Sequence, residues 1–242
     1  MRDHIYNQTI KHRVCDIDKI ESWLNKLYKW MFINSNCISF SEFLIKEKEL
    51  EKELEHLVLG LISTQRATGI SLRFFSEIDS IYQSLESDIK AYLSSDLDFN
   101  SRVSVIVSSP GFFAVFAYRV SYVFSQLDLS VLSQVCSGYA RKLTGIDICY
   151  KAVIARGFII DGGIGVIIRE NVKINHNVRI SSGVILGGIF SNKQESVIVD
   201  HNVIIKNNVS IQTQNITIGA YSVIEQNQII KQSVKPHFCI EV

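Results

Sequence analysis

An aspartate stands beside two glycines in an otherwise aliphatic run, "GFIIDGGIGVII", residues 157–168. Asp161 is the one charged group in that run, so it calls for a chemical partner that the run itself lacks. A second glycine pair, Gly187-Gly188, closes "GVILGG" ahead of the polar stretch "SNKQES". Such a pair can present backbone N–H groups and leave room for a ligand, or simply open a loop. His176 in "INHNVR" and His201 in "VDHNVI" are imidazoles that could serve as bases, although both fall at corners of a repeat, where an imidazole is usually a solvated residue. The five cysteines are scattered, with no CxxC pair to hold zinc or run redox chemistry, and no metal is expected. Cys149 follows Asp147 closely, and neighbouring carboxylates would raise its thiol pKa, so it reads as a small buried residue rather than a nucleophile.

The elements that must position these groups come in two kinds. From Ile20 to about Leu143 apolar residues recur at helical spacing, as in "IESWLNKLYKWMF" and "LRFFSEIDSIYQSLESDIKAYL". Ser39 or Ser41 is placed to cap the second helix, the charge run 46–55 reads as a solvated face with i,i+4 pairs, and Gly60, Gly69 and the polar cluster 94–101 are expected to break the pattern. After Asp147 the pattern becomes aliphatic residues at a step of six: Ile154, Ile160, then Ile168, Ile174, Ile180 and Leu186, then Val199, Ile205 and Ile211. That period marks a parallel β-helix in which each step is one flat face and one corner. Gly162, Gly163, Gly183 and Asn171, Asn177, Asn202, Asn207 and Asn208 are the expected corner formers. The expected division is a helical domain, 1–143, and a coil domain, 144–242, with a loop leaving the coil at about 187–198.

Composition narrows the classes. Near-balanced charge, +1 overall, and the lack of a dense Lys/Arg block give no reason to bind nucleic acid. "MRDHIYNQTI" is polar where a secretory signal carries an apolar core, so the expected location is the cytoplasm, with free thiols. Val103 to Phe124 is long and apolar enough to be mistaken for a membrane span, but Pro110-Gly111 interrupts it and Arg119 stands in its continuation. It is expected to be a buried helix, with no membrane partner.

Several stretches together resemble the serine O-acetyltransferase family. "SPGFFAVFAYRV" (109–120) is similar to the family's segment ahead of the coil, "GIDI" (145–148) to the start of its helix-to-coil transition, and "GVILGG" to its GVTLGG. The resemblance covers roughly residues 70–240 and implies a left-handed β-helix of hexapeptide repeats and transfer of acetyl from acetyl-CoA to the hydroxyl of serine or a related acceptor. It implies sites between coils of a homotrimer, or of two trimers joined through their helical halves. By the same resemblance Asp96 and Asp161 match the substrate carboxylates, Asp147 the carboxylate that orients the base, and Gly187 and Gly188 the acyl-donor side.

The family's base is a histidine in L-D-H-A-T-G, and here Gly162 occupies that place. Cys149 and Phe113 replace two further family histidines, and in the extruded loop Glu195 and Ser196 stand where the family carries an arginine and a histidine. The chain ends at "KPHFCIEV" in place of the family's usual coil ending and of the tail that enters cysteine synthase. A hydroxyl attacking a thioester needs a positioned base, commonly worth about 10²–10⁴ in rate. Two readings follow: an acyltransferase with altered or weak catalysis, or a non-catalytic member that scaffolds or regulates a related acetyltransferase subunit or a cysteine-biosynthesis partner.

Overall fold

The computed structural model describes residues 1–11, 16–33, 39–59, 61, 64–188, 196–212 and 215–240. They form two compact units, Met1–Asp79 and Ser80–Val242.

The first unit holds α1 (Arg2–Lys11), α2 (Ile17–Phe32), α3 (Phe40–Leu59), α4 (Thr64–Ser76) and the start of α5 (Ile78–Leu93). Asp16 caps α2 by accepting the Lys19 N–H at 3.3 Å, and Ser39 does the same for α3 with Glu42 at 3.2 Å. Trp23, Leu27, Leu54 and Phe74 are fully buried and make its core, each side chain contributing about 1.5–3 kcal/mol of burial. The charge run on α3 is tied by Lys48–Glu51 at i,i+3 and, across to α2, by Lys26–Glu53. Gly69 does not break the pattern: it lies inside α4, with nothing within 4 Å of a Cβ added there. Gly60 lies outside the described residues.

The second unit continues α5 and adds α6 (Arg102–Ser108), α7 (Pro110–Gln126) and α8 (Ser130–Thr144) ahead of the coil. The polar cluster after Leu93 does end α5. The apolar run from Val103 bends by 79° between α6 and α7, and no single helix among the described residues is long and apolar enough to cross a membrane. Ser109 makes the break: it accepts the Phe112 N–H at 3.1 Å and Pro110 takes the first helical position, where its missing N–H costs nothing.

The coil is a left-handed β-helix with three parallel sheets. One sheet stacks β1 (Asp147–Ile148), β4 (Ile167–Ile168), β7 (Ile185–Leu186) and β10 (Ser210–Ile211). The second stacks β2 (Val153–Ile154), β5 (Val172–Ile174), β8 (Val197–Val199) and β11 (Ile216–Ile218). The third stacks β3 (Ile159–Asp161), β6 (Arg179–Ser181), β9 (Ile204–Ile205), β12 (Val223–Ile224) and β13 (Cys239–Ile240). The step-of-six residues are the inward ladders: Ile148, Ile168, Leu186 and Ile211 lie in register on one sheet, Ile154, Ile174, Val199 and Ile218 on the next, and Ile160, Ile180, Ile205 and Ile224 on the third. All of them are buried. Among the expected corner asparagines, Asn177, Asn202 and Asn208 have positive φ, while Asn171 and Asn207 do not.

The helices of this unit are fastened to the first turn of the coil by the residues of "PGFFAVFAYR". Gly111 lets α7 touch β3, since a Cβ there would collide with the Ile160 carbonyl and lie 2.7 Å from the Tyr92 hydroxyl. That hydroxyl donates to the Ile160 carbonyl at 2.9 Å and accepts the Ile160 N–H at 3.2 Å. Tyr118 bridges the Ala152 carbonyl and the Ile154 N–H in the same way. Arg119, the charge inside the apolar run, donates from Nε and Nη2 to the fully buried Asp88 of α5 at 2.7 and 2.9 Å, and from Nη2 to the Ala155 carbonyl at 3.1 Å. Asp88 also accepts the Phe158 N–H at 2.9 Å. Burial pushes its carboxyl upward, against the pull of the Arg119 guanidinium. These ties fix the C-terminal end of α5, and so the segment that carries Asp96, against the coil.

Candidate active site

Asp161 ends β3, and its partner is Arg179, at the start of β6 one turn of the coil further on. Arg179 Nη2 donates to Asp161 Oδ2 at 2.8 Å, and its Nη1 donates to Asp96, 83 residues away in the chain. Two carboxylates, one from the segment after α5 and one from the coil, thus converge on one guanidinium. Its side chain is 19% exposed against 83% for Asp96, so the Asp96 arm of the bridge is open to solvent and the Asp161 arm is the better sheltered. Burial works against the Arg179 charge, but the hydrogen bonds to Asp161 and Asp96 outweigh it and hold the pKa above its usual value. Arg179 in turn holds the Asp96 carboxyl below the usual range through that hydrogen bond. Arg179 is the functional candidate that sequence reasoning missed. In "NHNVRISSG" it reads as one more exterior residue beside a corner, and only its register against Ile159 on the neighbouring strand brings its side chain within reach of Asp161, two residues along.

The cleft beside this bridge has a volume of about 750 Å³. Lys90, Arg156 and Arg179 line it against a single carboxylate, Asp96, together with His176 and Ile159. His176 is exposed there. His201 is not in this cleft: its Nδ1 lies 2.8 Å from Asn202 Nδ2, and its ring packs edge-on to Tyr221 at 5.1 Å, Tyr221 in turn stacking on His237. It is a corner-stacking residue.

Gly162 follows Asp161 with φ 69°. A Cβ at this position would lie 2.6 Å from Ser182 Oγ, which accepts the Gly163 N–H at 2.9 Å. Between the inward residues Ile160 and Ile168 the chain holds two more residues than the repeat needs, and this widened corner is where they are spent.

Asp147 and the second glycine pair belong to another cleft, of about 440 Å³, lined by Arg141, Asp147, Cys149, Arg169, Glu170 and Gly188 among others. It shares no lining residue with the first. Asp147 lies 3.4 Å from Arg141 Nη1, so its partner among the described residues is a guanidinium. Burial raises the Cys149 thiol, and Glu170 adds to this, leaving it without the thiolate character of a nucleophile. The Gly187 N–H is committed to the Ile211 carbonyl at 2.9 Å, whereas Gly188 makes no such bond among the described residues. Beneath Gly187, at φ 91°, the buried Arg169 Nε and Asn171 Oδ1 have no hydrogen-bond partner among the described residues. The site is tight: a Cβ added at Gly187 would fall 2.6 Å from Asn171 Oδ1 and 2.7 Å from Arg169 Cβ. Glu195 lies outside the described residues, as does most of the loop from 189. Among the described residues no group of His, Cys, Asp and Glu could hold a metal ion.

No protein-family model matches the chain. It is 30% identical over 156 residues to a serine acetyltransferase of Bacillus pumilus, covering 64% of this chain and 72% of that one. Its fold is similar to serine acetyltransferase 1 of Entamoeba histolytica, solved in complex with L-cysteine, at a TM-score of 0.83 and 24% identity over 90% of this chain and 86% of the other. A serine acetyltransferase of Brucella abortus, solved with coenzyme A, superposes at a TM-score of 0.66 and 17% identity over 90% of this chain and 76% of the other.

Proposed function

The chain belongs to the serine acetyltransferase family, and on that premise we propose that it transfers acetyl from acetyl-CoA to the hydroxyl of a small acceptor, slowly for want of the usual base. The observation that carries this reading is the convergence of Asp96 and Asp161 on Arg179, a polar cluster beside an open cleft that the core does not require. In the reaction the acceptor oxygen attacks the thioester carbon, the C–S bond breaks, and the hydroxyl proton passes by way of a base to the departing CoA thiolate. Gly188 is the backbone donor available to the oxyanion, and Arg169 and Asn171 are placed to meet the donor's polar chain. Asp147 has no imidazole to orient, and His176 is the imidazole that lines the acceptor cleft.

Asp147 and Asp161 lie on different sheets of a three-sided coil, and the two clefts share no residue. That separation supports a site completed between copies, hence a homotrimer or a dimer of trimers in the cytoplasm, with helices 1–143 carrying assembly contacts and the coil, 144–242, carrying the chemistry. The test is release of CoA thiol by the purified protein with acetyl-CoA and a panel of amino-acid and hydroxy-acid acceptors, alongside a thermal shift with CoA. A ligand at a hundredfold excess over its Kd should stabilise the fold by about 2.7 kcal/mol. Thiol release with any acceptor above the hydrolysis rate is the expected result; a CoA shift without release from any acceptor would favour the scaffold reading, and neither would remove both.

A further inference from the structure

We propose that Arg179 is a specificity-determining residue that reverses the charge preference of the acceptor site, so that the acceptor is a hydroxy acid carrying a carboxylate and no amine. The inference rests on the acetyl-transfer reading above. Asp96 and Asp161 are the carboxylates that could hold a substrate ammonium, yet the guanidinium of Arg179 already spans both, its two terminal nitrogens each donating to one of them. The chain's own cation fills the place of a ligand's cation. An ammonium entering there would have to displace a half-buried guanidinium from two ion pairs or sit against it as a like charge.

What the arrangement offers a ligand is positive. Arg179 Nε is buried and has no hydrogen-bond partner among the described residues, a donor in want of an acceptor. Arg156 and Lys90 line the same cleft, and neither makes an ion pair among the described residues, so three cations face one carboxylate, itself bound to Arg179. Guanidinium groups grip planar carboxylates through paired donors, and two of the three are guanidinium groups. The small apolar wall at Ile159 and the imidazole of His176 leave space for a short carbon chain with a hydroxyl. Acetyl transfer to such an acceptor forms the ester C–O bond and breaks the thioester C–S bond, with the hydroxyl proton ending on the CoA thiol, and needs no further reactant.

Glycerate and L-serine make the comparison clean, because they differ only in a hydroxyl against an ammonium beside the same carboxylate and the same terminal hydroxyl. Calorimetric binding and thiol-release kinetics with both, for the full chain and for Arg179→Ser and Arg179→Lys, read the proposal out. The unmodified protein should favour glycerate over serine at least about tenfold in Kd and in kcat/KM. Arg179→Ser frees both carboxylates and should invert that order, while Arg179→Lys keeps the charge and should keep the order with weaker binding. A melting curve on each variant separates loss of the fold from loss of preference. Serine binding as tightly as glycerate to the unmodified protein would overturn the proposal, as would a ratio unmoved by Arg179→Ser. Failure of the transfer reading shows separately, as absent CoA binding and absent thiol release with the glycerate preference in binding intact.

Discussion

Replacing Arg119 with methionine removes the cation that α7 holds against Asp88. Four hydrogen bonds go with it: those from Nε and Nη2 to the carboxylate, that from Nη2 to the Ala155 carbonyl and a longer one, 3.4 Å, from Nη1 to the Ile154 carbonyl. Asp88 is completely buried and the arginine side chain is 9% exposed, so water does not take over the lost role. Breaking a buried pair from one side costs about 3–5 kcal/mol, because the remaining charge is left without a partner. At about 2–4 °C per kcal/mol for a chain of this size, the melting temperature should fall by roughly 6–20 °C. The pH dependence tests the cause. With the guanidinium gone, burial acts on Asp88 with less opposition and lifts its folded pKa further above the unfolded value of about 3.9. An acid whose folded pKa is raised destabilises the fold once the pH exceeds its unfolded pKa, because the unfolded chain then gives up its proton more readily. Below that value both states hold the proton and the penalty vanishes. The gap between the variant and the unmodified protein should therefore be widest near neutrality and narrow as the pH is lowered toward 4. Circular dichroism melts at a series of pH values supply the measurement. A loss of less than about 3 °C at neutral pH, or a gap that stays constant on acidification, would refute the account of Asp88 as a charge held in place by Arg119.

Two further perturbations bear on the chemistry. Gly162→His places a side chain at φ 69° with its Cβ 2.6 Å from Ser182 Oγ, so it should cost about 1–2 kcal/mol in stability and should not by itself bring serine acetylation up by as much as about tenfold; melts and thiol-release kinetics check both halves, and a stable, serine-active variant would show that the missing imidazole was the whole deficit. His176→Gln should lower kcat for the preferred acceptor by about 10²-fold with CoA binding intact, whereas an unchanged kcat would place the base elsewhere.

The sequence by itself determined the coil and its inward face. Aliphatic side chains at a step of six can all be buried only if the backbone turns a corner at each step, and every residue of that series is an inward rung of a parallel sheet. "PGFFAVFAYR" was legible as a resemblance, but its reason is tertiary: Gly111, Tyr118 and Arg119 exist to dock α7 on the first turn of the coil. The sequence also marked Asp161 and Gly162 as a place where the step of six is interrupted, by two added residues. What it left dark was the exterior. Outward residues carry no periodic signal, since water tolerates almost any of them, and their neighbours are set by the length of one coil turn rather than by spacing along the chain. Arg179 reaches Asp161 because β3 and β6 stack with Arg179 beside Ile159, two residues from the aspartate, and Asp96 reaches the same guanidinium because α5 is pinned to the coil through Asp88 and Tyr92. The separation of Asp147 from Asp161, and the spent N–H of Gly187, are likewise consequences of which sheet each strand joins, a long-range pairing that no local pattern encodes.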